Sequence, residues 1–130
     1  MNSPKKILIV DDDRAMGEEL AEALGESGYA VRSAAGGEDA LRALAAEPAD
    51  LMLVDMKMPG MSGLETTRRV RRDHPGVKTI LITASLPSEM EAALNAEPDL
   101  AVIYKPFAID RLLSRIAAAL ALGENQPQRD

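Results

Sequence analysis

Leu51-Met52-Leu53-Val54-Asp55-Met56-Lys57-Met58-Pro59-Gly60-Met61-Ser62-Gly63 is the stretch on which the fold turns. Its first four residues are apolar without interruption. A strand solvated on one face alternates apolar and polar residues, whereas a strand covered on both faces of a parallel sheet carries an unbroken apolar run. This run is therefore expected at the centre of a parallel sheet. It ends in Asp55 and passes into proline and glycine, which suit a sharp turn after a strand, although the same composition serves any surface loop.

Short apolar runs alternate with segments of helical period on both sides of it. Before it, Ile7-Leu8-Ile9-Val10 reads as a strand, and Arg14 to Glu26 as a helix with Met16, Leu20, Ala23 and Leu24 on one face. Tyr29 to Ser33 reads as a second strand and Gly37 to Glu47 as a second helix. After it come a helix from about Leu64 to Arg72, a strand Thr79–Ile82, a helix from about Ser88 to Ala96 and a strand Ala101–Tyr104. A last helix starts near Ala108, where Ile109, Leu112, Leu113, Ile116 and Leu120 make an amphipathic stripe. Five strands alternating with five helices through short connections predict an α/β fold, a three-layer doubly wound (βα)5 sandwich. Residues 123–130 are polar and begin with a helix-stopping glycine, so they read as a disordered tail or the stub of a linker.

The bulk composition narrows the function. The 130 residues have the length of one domain, and 46% hydrophobic residues can fill one core. A net charge of −6 provides no positive field for a polyanion, so nucleic acid is not expected as a direct partner. The chain has no cysteine, which removes thiolate chemistry and fits a reducing cytoplasm. The apolar run after Lys5-Lys6 is too short for a secretory signal, and Ile116 to Leu122 falls far short of the roughly 20 residues that span a bilayer. Neither export nor a membrane partner is expected.

In an open parallel sheet, functional groups gather at the carboxyl ends of the strands. Here those ends carry Asp11-Asp12-Asp13, Asp55, Thr83 and Lys105-Pro106. Each alone has an ordinary explanation: a helix cap, a strand threonine, a solvated lysine. Together they do not, because carboxylates converging on one crevice repel each other unless a cation or a raised pKa compensates. Oxygen ligands at this density suit magnesium, and zinc has no support, since the only histidine, His74, belongs to a distant helix end. Beside such a cation Asp55 is a competent nucleophile toward phosphorus, where in-line attack depends on positioning and charge stabilisation. Arg68, Arg69, Arg71 and Arg72 form a basic cluster interrupted by Val70, read as a solvated helix face.

These residues resemble the receiver domain of bacterial two-component response regulators, the CheY-like family. The resemblance runs from about Lys5 to Leu122, so that residues 1–122 are read as the receiver domain. It rests on Ile7 to Asp13, Leu53 to Gly63, Ile82-Thr83-Ala84 and Tyr104-Lys105-Pro106-Phe107, in that order. It implies a flavodoxin-like sheet of strand order 2-1-3-4-5 and a phosphoryl group passed from a phosphohistidine to Asp55. It further implies magnesium held by Asp11, Asp12, Asp55 and the backbone carbonyl of Lys57. Thr83, Lys105 and the backbone amide of Ala84 would hold the phosphoryl oxygens, and the Lys105–Pro106 bond would be cis. The implied partners are a sensor histidine kinase or histidine phosphotransfer protein, docking near Met16, and a downstream effector protein or fused output domain. Phosphorylation-dependent homodimerisation is left open.

Two positions depart from the family pattern. An aromatic residue usually stands three positions before the lysine and changes rotamer as the threonine moves; here that position is Val102, which has no ring to swing. Tyr104 shares its side of the strand and is the candidate to take over part of the switch, the alternative being that output runs through the loop after Thr83. Glu97-Pro98-Asp99 replaces a common Gly-Ala pair before the last strand. Two rival readings carry their own difficulties. A magnesium-dependent aspartyl phosphohydrolase commonly needs an acid two residues after the nucleophile, where this chain has Lys57. A non-phosphorylated pseudo-receiver would not need the complete acidic set, Thr83 and Lys105.

Overall fold

The structure, a computed structural model, describes residues 3–84, 91–92, 95–97 and 100–121. Its elements run β1 (Lys6–Val10), α1 (Arg14–Glu26), β2 (Ala30–Ala34), α2 (Gly37–Ala46), β3 (Leu51–Asp55), α3 (Gly63–Asp73), β4 (Lys78–Thr83), β5 (Ala101–Tyr104) and α4 (Ile109–Ala121). The strands form one five-stranded parallel sheet of order β2-β1-β3-β4-β5, the order that the family resemblance implies. The helix expected at Ser88–Ala96 lies for the most part outside the described residues, and so does the tail at 123–130.

The unbroken apolar runs have the cause expected of them: each is covered on both faces. Leu8, Val10, Met52, Val54, Leu81 and Val102 point to one side, where they pack with Ala40 and Leu44 of α2 and with Leu64 and Val70 of α3. Ile7, Ile9, Leu51, Leu53, Ile80, Ile82 and Ile103 point to the other, against Leu20 and Leu24 of α1 and Leu112 and Ile116 of α4. Helix ends follow local chemistry. Asp13 caps α1 by accepting from the Met16 N–H at 3.1 Å, and Ser62 caps α3 by accepting from the Glu65 N–H at 3.1 Å. At the other end of α2, Arg32 reaches over from β2 and donates to the carbonyls of Ala43 and Glu47 at 3.2 and 2.6 Å, satisfying acceptors the helix leaves over.

The strand order locates the site. From β1 the chain steps outward to β2, then returns across β1 to β3 and continues the opposite way to β4 and β5. The crevice of such a sheet opens where the direction reverses, at the carboxyl ends of β1 and β3. Asp11 and Asp12 follow β1 directly, and Asp55 is the last residue of β3.

Candidate functional site

Asp11, Asp12 and Asp55 each offer a carboxylate oxygen, and these three atoms lie within 4.8 Å of one another. Lys105, the residue after β5, brings its Nζ to 3.2 Å from Asp55 Oδ1. The Asp55 side chain is 12% exposed and that of Lys105 28%, so the pair is shielded well enough that salt screens it less than a surface bridge. Asp11 is held in place from below, since its Oδ1 accepts the Asp13 backbone N–H at 2.9 Å and its own N–H donates to the Ala34 carbonyl at 3.1 Å. Burial pushes the Asp11 carboxyl above the ordinary aspartate range; the Asp13 N–H opposes this, the charge of Asp55 adds to it, Lys105 opposes it and Asp12 adds to it. The crevice thus carries more negative charge than its one lysine balances.

A magnesium ion takes oxygen ligands at about 2.0–2.1 Å, so opposite ligands stand about 4.2 Å apart and several positions are left to water. Three carboxylate oxygens within 4.8 Å match that span after a small closure, and the donor set is all oxygen. The cluster could hold a divalent cation of this kind.

The remaining sequence candidates take separate places. Thr83 ends β4 and is 2% exposed, its carbonyl accepting the Lys105 N–H at 2.7 Å. Ala84 and Lys57 are exposed residues in the segments just beyond β4 and β3. The Lys105–Pro106 bond is cis. Val102 and Tyr104 lie on the α2/α3 side of the sheet, Val102 fully buried and Tyr104 half-buried. His74 is the C-cap of α3, at the end of that helix away from Asp55. The arginine cluster on α3 is a solvated face laced with acids: Arg68 pairs with Glu97, Arg69 with Glu65 and Arg72 with Asp73.

Two contributors escaped the sequence reading. Asp13, third of the acidic run, supports Asp11 through its main chain while its side chain caps α1. Gly63 looks like one more turn glycine, yet its N–H donates to the Met56 carbonyl at 2.9 Å and the helix it starts rests on the Asp55 backbone. The nearest sequence signal was the Ser62-Gly63 pair at the foot of a predicted helix.

A family model described as the response regulator receiver domain matches residues 7–117. The chain belongs to this family. Among curated receiver-containing relatives, response regulator MprA of Mycolicibacterium vanbaalenii is 39% identical over 118 residues, which cover 90% of this chain and 51% of that protein. MprA of Mycobacterium ulcerans is 39% identical over 116 residues, 88% of this chain and 50% of that one. This chain therefore spans about half the length of the curated relatives it matches. A CheY-like receiver domain protein from Methanospirillum hungatei superposes with a TM-score of 0.83 at 37% identity, over 92% of this chain and 95% of that one. The response regulator TrrA from Thermotoga maritima, solved in complex with Mg(2+)-BeF, gives 0.78 at 35% identity, over 88% and 97%. The strand order is thus that of a response regulator receiver domain of a two-component system. Among the described residues no helix is long and apolar enough to cross a membrane.

Proposed function

We propose that this receiver domain accepts a phosphoryl group from a phosphohistidine onto the Asp55 carboxylate and changes conformation in response. The observation that carries this reading is Asp55 itself, set at the end of the central strand within 4.8 Å of the Asp11 and Asp12 carboxylates and paired with Lys105 at 3.2 Å. An ionised carboxylate needs no base to attack phosphorus. A new oxygen–phosphorus bond forms on Asp55, the phosphorus–nitrogen bond of the donor breaks, and its electron pair leaves with the imidazole, which takes up a proton. Lys105 places a positive charge beside the acceptor, where the transferred oxygens bring negative charge. Thr83 and the backbone N–H of Ala84, at the neighbouring strand end, are assigned to those oxygens. Asp11, Asp12, Asp55 and the main-chain carbonyl of Lys57 would hold magnesium, which when bound offsets negative charge on the incoming group. The Mg(2+)-BeF complex of TrrA supports this assignment by similarity.

The donor in this reading is a sensor histidine kinase or phosphotransfer protein in the cytoplasm, and the output is a partner protein or a fused domain. The experiment is to incubate the chain with acetyl phosphate and magnesium and to locate the acyl phosphate by mass spectrometry after borohydride trapping. One phosphoryl group per chain on Asp55 is expected. Label on another residue, or release of many phosphates per chain, would overturn the proposal.

The route by which the event is sensed runs in this reading through Tyr104. The β4–β5 register pairs Leu81 with Val102 and Thr83 with Tyr104. Neighbouring strands lie about 4.8 Å apart, so Tyr104 stands directly beside Thr83 on the same face. A shift of Thr83 toward a phosphoryl oxygen changes the space this ring occupies. The ring resonances of Tyr104 are expected to move when beryllofluoride and magnesium are added; a ring that stays put rules out this relay.

A further inference from the structure

β5 is the edge strand among those that carry site residues. It has four residues and β4 is its one strand neighbour, whereas β1, β3 and β4 have strand neighbours on both sides; Arg115 of α4 also donates to the Val102 carbonyl at 3.5 Å. Yet it delivers Lys105, whose reach to Asp55 must be right to a fraction of an ångström for an in-line transfer. A further attachment precedes the strand. Arg68, in the second turn of α3, donates from Nε to Glu97 Oε2 at 2.7 Å, with Nη2 at 2.5 Å from the same oxygen. The Glu97 carbonyl in turn accepts the N–H of Leu100 at 3.1 Å, and buried Leu100 directly precedes β5.

These contacts make a closed circuit through Asp55. The foot of α3 rests on the acceptor's main chain, because a Cβ on Gly63 would lie 2.2 Å from the Asp55 carbonyl oxygen. Five residues on, Arg68 takes hold of Glu97. Glu97 sets the start of β5, and β5 ends beside Lys105, which returns to Asp55 Oδ1 at 3.2 Å. From this geometry we propose that Arg68 and Glu97 are positioning residues, tying the edge strand to α3 so that Lys105 and Asp55 keep their separation. The inference deepens the phosphoacceptor reading and rests on it. The ladder to β4 sets the register of β5; the ion pair restrains its tilt. At side-chain exposures of 51% and 25% the pair is open to screening, so its effect should shrink as salt is raised.

The test is Glu97→Gln beside the charge-reversed double variant Arg68→Glu/Glu97→Arg, each in the whole chain. Glu97→Gln is expected to slow Asp55 phosphorylation by acetyl phosphate roughly three- to tenfold and to shift the side-chain NMR resonances of Lys105. The reversed pair should return both toward the parent values, which loss of a merely local contact would not predict. An unshifted Lys105 resonance in Glu97→Gln, or a double variant no better than the single, would overturn the inference. Because the resonance is read without phosphorylation, a parent chain that fails to label would count against the phosphoacceptor reading and leave the positioning result to be judged by itself.

Discussion

Gly63→Ala is expected to lower the stability of this receiver by about 3 kcal/mol or more, a loss at the upper end of what overpacking costs. A Cβ at this position would lie 2.2 Å from the Asp55 carbonyl oxygen, 2.8 Å from Met56 Cα and 2.9 Å from the Asp55 carbonyl carbon. All three are main-chain atoms, so no rotamer change relieves the clash. Either α3 lifts off, uncovering Leu64 and Val70 from the core, or the end of β3 is displaced and carries the acceptor with it. For a chain of this size the loss corresponds to a fall in Tm of roughly 10–15 °C. Gly17 in α1 supplies the control, since a Cβ there meets nothing within 4 Å. Gly17→Ala should therefore gain about 0.5–1 kcal/mol from helix propensity. Thermal unfolding of both variants checks the argument: an unchanged Tm for Gly63→Ala would mean that α3 does not press on Asp55 as described.

Lys105→Met is expected to change two properties in opposite directions. Phosphorylation of Asp55 should slow by about 10²–10³, the usual cost of removing one preorganised charge from a developing anion. Divalent-cation affinity should rise, because the ammonium that stands 3.2 Å from Asp55 no longer repels the incoming ion. The same substitution affects the pH dependence of the cation-free protein. Burial already raises the Asp11 carboxyl, and Lys105 is one of the groups that hold it down. A folded-state pKa above the unfolded value means that the native chain binds more protons, so the stability contributed by this one carboxyl is fully present below its ordinary value of 3.8 and is lost as pH rises through the raised pKa. Lys105→Met should widen that loss, and magnesium should recover it. Melting curves at pH 4 and pH 7 with and without magnesium, alongside a cation titration, decide the matter. A variant whose cation affinity is unaltered and which phosphorylates within twofold of the parent would remove Lys105 from the site's charge balance.

What could be read from the chain alone has a common character: it is local in sequence or periodic. Leu51 to Val54 are apolar without a break because both faces of β3 are covered, so the run itself reported a central strand. The strand ends then pointed to Asp11, Asp12, Asp55, Thr83 and Lys105, because a parallel sheet sends all its carboxyl ends to one edge. Boundaries moved by a residue or so, as at β2, expected at Tyr29–Ser33 and found at Ala30–Ala34, since the ladder to β1 and not side-chain preference sets where an edge strand stops. The basic cluster on α3 was legible as a solvated face, but not the identity of its partners.

The amino-acid sequence by itself thus determined the layered fold, the acidic crevice and Asp55 as its candidate acceptor, through hydrophobic period and the chemistry of residues that follow each strand. Tertiary structure alone decided that Gly63 lies against the Asp55 backbone, that Thr83 neighbours Tyr104, and that Arg68 meets Glu97 across 29 positions of chain. These are contacts between residues whose own types would suit any turn, strand or surface. Their meaning comes from what packing places beside them, and no local preference encodes that.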